Sequence, residues 1–213
     1  EMLSEFKHDV EQNQKLLDST LRKNKELIHY LDSFIHTVGY DDRPLNVKKF
    51  ASELNMWMYR FMNRKNIFDQ MKSSGALRYI KDFALIEQIL AYEQLAELAE
   101  FRAMQQETDH YFNQFRPQLR ELFPPAFFAE VFHNPKYMQV LNESDPDYER
   151  FYLSHAGGRE KQLNKAITDP AILNKISTMF YERVIFIKLS TFNYKMVHEK
   201  GKALLEALNA HGY

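Results

Sequence analysis

Three of the four Glu-x-x-His pairs stand out as possible chemistry: Glu26/His29, Glu107/His110 and Glu130/His133. On a helix, positions i and i+3 share a face, so each pair would present a carboxylate beside an imidazole. Di-iron carboxylate bundles use two such pairs plus a glutamate from each of two further helices. Glu87, Glu93, Glu97 and Glu100 are nominal sources of the extra carboxylates. The pattern is short, however, and a chain with 29 acidic residues and 8 histidines meets it by chance. Glu130/His133 abuts Asn134-Pro135, a poor rigid platform, and Glu26/His29 lies between Lys25 and Tyr30 as on a solvated helix face. A metal enzyme built on Glu26, His29, Glu107 and His110 is the second reading of the chain. The first reading leans away from an enzyme and needs neither a catalytic residue nor a cofactor.

Other reactive patterns are weaker. Ser73-Ser74-Gly75 interrupts two amphipathic runs. It has no G-x-S-x-G elbow around it, and one glycine is too few for a phosphate cradle. It reads as a corner, with Gly75 in the left-handed conformation that follows many helices. Without cysteine there is no disulfide, zinc thiolate or thiol nucleophile. MWMYRFM, Met56 to Met62, offers Met56, Trp57, Tyr59 and Met62 as the lining of an apolar ligand pocket. The same side chains fill a bundle core equally well. ELFPPAFFAEVF, Glu121 to Phe132, is apolar and aromatic and reads as a plug of the core.

The elements that must position these residues are helical. Glycine (6) and proline (7) are sparse, and alternating β-branched runs are nearly absent. In the first segment Leu3, Phe6, Val10, Leu17, Leu21, Ile28, Leu31, Ile35 and Val38 recur at helical spacing, predicting a helix over Met2–Val38 ended by Gly39. Asn46 caps a second helix that carries Phe50 to Met62, and Asn66–Lys72 continues helical. Ala76–Ile80 adds a turn, and Asp82 caps a helix over Phe83–Phe115 that Pro117 stops. Short helices and turns fill Arg116–Lys165. Asp169-Pro170 then opens a last helix to about Asn209, with Gly201 as its weak point. The expectation is an all-α fold: an elongated helical bundle of three long helices plus several short ones, in one domain spanning 1–213.

Charge sets limits on partners. The formal net charge is −1 and the pI about 6.8, against the basic face a dedicated nucleic-acid binder needs. No apolar run approaches the roughly 20 residues of a membrane span. The chain opens on Glu1, so an upstream segment is expected to have been removed.

One resemblance is carried by Phe68, Ser74-Gly75, Leu77, Ile80, Lys81-Asp82 and Leu85, with EFKHDVEQNQKLLDSTLRKNKELIHYL near the start and ITDPAILNKISTMFYERV near the end. These segments resemble an uncharacterised family of Gram-negative bacterial envelope proteins, a domain of unknown function. Its members look like one N-terminal membrane helix followed by a soluble helical domain. The resemblance implies a periplasmic domain held at the inner membrane by an upstream helix, binding an envelope protein or a small ligand. It supplies no catalytic residue. A homodimer through the long helices and a cytoplasmic adaptor are the further expectations.

Overall fold

A computed structural model describes residues 2–40, 44–54, 58–123, 127–128 and 166–213. The chain is all-α, as the spacing predicts. In order, its elements are α1 (Met2–Tyr40), β1 (Leu45–Asn46), α2 (Val47–Glu53), α3 (Asn66–Ser73), a 3₁₀ turn (Ala76–Tyr79) and α4 (Phe83–Gln106). A π-helical stretch (Glu107–Phe115), α5 (Arg116–Leu122), β2 (Ala166–Ile167) and α6 (Pro170–Ala210) follow. The long helices are α1, α4 and α6, with 39, 24 and 41 residues.

The expected caps hold. Asn46 accepts from Lys49 N at 2.8 Å, Asp82 from Ala84 N at 2.8 Å and Leu85 N at 3.2 Å, and Asp169 from Ala171 N at 2.9 Å. Each satisfies amides that the first helical turn leaves without a partner. The expected stops fail for identifiable reasons. Pro117 falls in the first turn of α5, where its missing N–H is not needed, so helical structure passes from α4 through the π stretch into α5. Helix α1 continues through Gly39 to Tyr40.

The chain divides into two compact units. The first comprises Glu1–Ile28, Met58–Thr108 and Ile185–Tyr213. Its core takes Phe6, Val10 and Leu17 from α1, Leu85, Ile89, Tyr92 and Ala96 from α4, and Tyr194, Val197 and Leu204 from α6. Gly201, in the middle of α6, is required by packing: a Cβ there would collide with the Gln14 amide and stand 3.0 Å from the Tyr92 ring. The expected weak point is thus where a side chain of α1 and one of α4 both rest on the α6 backbone.

The second unit comprises His29–Trp57 and Asp109–Val184. Phenylalanine builds its core. Phe50 stacks on Phe34 at 4.4 Å, and Phe123 stacks on Phe127 at 4.2 Å. Phe180 meets Phe34 at 4.9 Å and Phe115 at 5.1 Å, edge to face. Such pairs contribute beyond the area they bury. Phe123 and Phe127 are buried, so the described part of the 121–132 segment plugs this core as expected. A two-residue antiparallel pair, Leu45 opposite Ile167 and Asn46 opposite Ala166, was not foreseen from sequence.

Gly75 is left-handed at φ 72° and starts the 3₁₀ turn that leads to α4. Space is not the constraint, because an added Cβ would meet nothing closer than the Arg78 side chain at 3.6 Å. The backbone alone resists a side chain here, most strongly a β-branched one. Gly75→Val is expected to cost about 1–2 kcal/mol and lower Tm by several degrees. Gly75→Asn should cost less, and equal melting of all three proteins would contradict this account.

Candidate functional site

The residues that bear most on the first unit are amides rather than the predicted carboxylates. Met58–Lys65 forms neither helix nor strand. Its backbone is instead gripped by two asparagines of α1. Asn24 Oδ1 accepts from Tyr59 N at 2.9 Å while its Nδ2 donates to Tyr59 O at 2.9 Å. Asn13 Oδ1 accepts from Arg64 N at 2.9 Å while its Nδ2 donates to Arg64 O at 3.0 Å. Each side-chain amide thus pairs with one residue's backbone as a neighbouring strand would.

The spacing fits. Asn13 and Asn24 are eleven residues apart, about three helical turns, so they share a face and lie about 16 Å apart along the axis. Five steps of extended chain, Tyr59 to Arg64, also span about 16 Å. This grip overrides the helix expected over Phe50–Met62, because α2 ends at Glu53 and the clamped run cannot coil.

Asn63 completes the cluster. Its side-chain oxygen accepts from Asn13 Nδ2 at 2.7 Å, its Nδ2 donates to Glu93 Oε2 at 2.8 Å, and its backbone N donates to Glu100 Oε2 at 3.1 Å. Glu93 and Glu100 are two turns apart on one face of α4. Glu93 is 4% exposed, and its Oε1 has no hydrogen-bond partner among the described residues. Burial pushes its pKa up to about 7, opposed by the Asn63 bond; Asp69 and Asp9 push it further up and Lys65 down.

The residues singled out from sequence are placed differently. Tyr59 is exposed, with the Lys23 ammonium 5.2 Å from its ring centroid, and Met62 is 65% exposed. Neither lines any of the three grooves identified among the described residues. Met56 and Trp57, the other half of the expected pocket, lie outside the described residues, as do Glu130 and His133. Glu26 and His29 are exposed. Glu107 is buried in the first unit and His110 in the second. Burial, helped by the Arg183 charge, lowers the His110 pKa to about 4, so its imidazole is neutral at pH 7. Among the described residues no three His, Asp or Glu side chains converge to hold a metal ion.

Sequence reasoning missed Asn13, Asn24 and Asn63. The signal was in the stripe of α1: no apolar residue lies between Val10 and Leu16, or between Leu21 and Leu27. The buried Asn13, Gln14 and Asn24 fill those gaps.

The solvent side of α6 carries a second feature. Ile185, Leu189, Phe192 and Met196 are all exposed, Phe192 at 60%. Their spacing of four, three and four is that of a coiled-coil seam. Lys188, Lys195 and Lys202, seven apart, run along one edge of it. The opposite face of the helix, including Ile187, Tyr194 and Val197, is buried.

In comparisons with known proteins, no family model matches the chain, and neither a curated protein nor a solved structure shows significant similarity. No helix among the described residues is long and apolar enough to cross a membrane.

Asn24→Ala removes both side-chain bonds to the Tyr59 backbone and is expected to cost about 2–3 kcal/mol. Denaturant titration reads the loss. Hydrogen exchange should show the Tyr59 amide losing protection ahead of the α4 amides.

Glu93 gives a pH signature. Its folded pKa of about 7 lies above the ordinary carboxylate value of 4.5. Between those values the folded chain holds a proton that the unfolded chain has released, so this contribution falls as pH rises and levels off above 7. His110 acts oppositely, its contribution falling as pH drops from 6.5 to about 4. Comparing variants isolates Glu93: Glu93→Gln should be more stable than wild type near pH 8, by at most on the order of 3 kcal/mol. That advantage should shrink near pH 5. Urea melts at the two pH values check it.

Proposed function

We propose that the chain is a non-enzymatic helical module that binds a protein partner through the exposed seam of α6. The observation that carries this reading is four consecutive large apolar seam residues, Ile185, Leu189, Phe192 and Met196, facing solvent. A helix hydrophobic on both sides has a second surface to bury. The lysine edge, where Lys202 also meets Glu199 at 3.5 Å, favours an amphipathic partner helix with acidic flanking positions. The sequence resemblance supports placing the module in the periplasm, held at the inner membrane by an upstream segment. Glu93, the most perturbed carboxylate among the described residues, is absorbed in holding Asn63 and lines none of the grooves identified there. It therefore adds no support to the metal-enzyme alternative.

Two measurements test this. Fractionation of the tagged native protein, with protease added to spheroplasts, should show a membrane-associated and externally cleavable domain. A protected, soluble protein would sink the placement and favour a cytoplasmic adaptor. In the same cells, a photo-crosslinker at Phe192 should give one discrete protein adduct that Leu189→Glu abolishes. A self-adduct would replace the hetero-partner with a second copy, and no adduct would end the seam reading.

A further inference from the structure

We propose that the corner formed by residues 78–83 docks on an anionic phospholipid surface. The run Arg78-Tyr79-Ile80-Lys81-Asp82-Phe83 interleaves two cations with two aromatics. Tyr79 and Phe83 are 72% and 80% exposed, the two most exposed large apolar side chains among the described residues. Aromatics that stand out beside basic residues suit a bilayer interface, where rings sit at headgroup level and cations meet lipid phosphates.

The corner presents them on a rigid base. Gly75 sets the turn, and the Arg78 guanidinium lies 5.0 Å from the Tyr79 ring centroid while donating to its hydroxyl at 3.0 Å. Asp82 would oppose an anionic surface, but its carboxylate is engaged within the chain. It caps α4 through Ala84 N and Leu85 N, and it meets His211 Nε2 at 2.7 Å. That arrangement holds its carboxyl below the usual range, with the His211 bond as the largest cause. Lys72, at the end of α3, and Lys81 are both exposed and add to the positive side.

A groove of about 480 Å³ lies under the corner, with Met2, Leu3, Met71, Ile80 and Leu85 among its lining residues. A groove whose lining is mainly apolar, with Lys81, Asp82 and His211 also in it, beside two exposed aromatics fits the boundary between headgroups and acyl chains. The start of α1 and the end of α6 both reach this place, where Lys7 Nζ donates to Tyr213 O at 2.7 Å. The anchored placement proposed above gives the patch a use, but the patch rests on its own residues. A vesicle assay on the purified chain is therefore read independently of the fractionation.

The test is co-sedimentation of the 213-residue chain with phosphatidylcholine vesicles, with and without about one-third phosphatidylglycerol. Binding should need the anionic lipid and weaken with salt. Arg78→Gln and Lys81→Gln should each reduce partitioning on the order of fivefold. Phe83→Ser should reduce it as strongly with Tm unchanged, since the side chain is exposed. Equal binding to neutral and anionic vesicles, or binding that ignores all three substitutions, would overturn the proposal. So would a dimer in sedimentation equilibrium that Phe83→Ser dissociates, because the patch would then belong to a second copy of the chain.

Discussion

A backbone held without a partner strand must find its hydrogen bonds elsewhere, and in the first unit they come from two side chains. Asn13 and Asn24 satisfy both backbone groups of Arg64 and of Tyr59. With the run extended between those points, Met58 and Phe61 turn into the core, and Phe61 meets Tyr194 of α6 edge to face at 5.9 Å. Asn63 carries the same network on to Glu93 and Glu100 of α4. The clamped run therefore ties α1, α4 and α6 together, although it has no regular secondary structure of its own. A buried amide is costly when unpaired and worth little more than an average bond when paired. Its main contribution is to make one register of the chain against α1 far better than its neighbours.

What could be read from sequence were features that act locally. A cap needs only a short acceptor before a helix, and Asn46, Asp82 and Asp169 all serve as expected. The left-handed corner needs only Gly75. The failures involve partners distant in sequence. The run up to Met62 reads as helix until residues 35 and 51 positions away bind the backbone of Tyr59 and Arg64. Gly201 reads as a weak link until Gln14 and Tyr92 are packed on it. The Glu-x-x-His pattern is a separate case: i and i+3 bring two groups to one face, but a metal needs groups from several helices to converge. Among the described residues none do.

The chemistry of the first unit therefore lies in surfaces. Its carboxylates either hold the fold, as Glu93 and Asp82 do, or face solvent, as Glu87 and Glu97 do. Among its exposed large apolar side chains, two groups are the α6 seam and the aromatics of the corner. Both groups border lysine or arginine, so the two proposed partners would share an acidic character. A chain with net charge near zero can still present such local fields, since attraction over a Debye length depends on neighbours rather than on the total.

At Tyr59 and Arg64 the grip of Asn13 and Asn24 reads main chain alone; Asn63 is the position held by its side chain. Any residue except proline offers the same N–H and C=O at positions 59 and 64. The side chains of Tyr59, Arg60 and Met62 face outward and take no part in the hold. These positions are consequently open to sequence drift at little cost in stability. A fixed backbone path with interchangeable exposed side chains is a scaffold on which recognition can be rewritten one residue at a time.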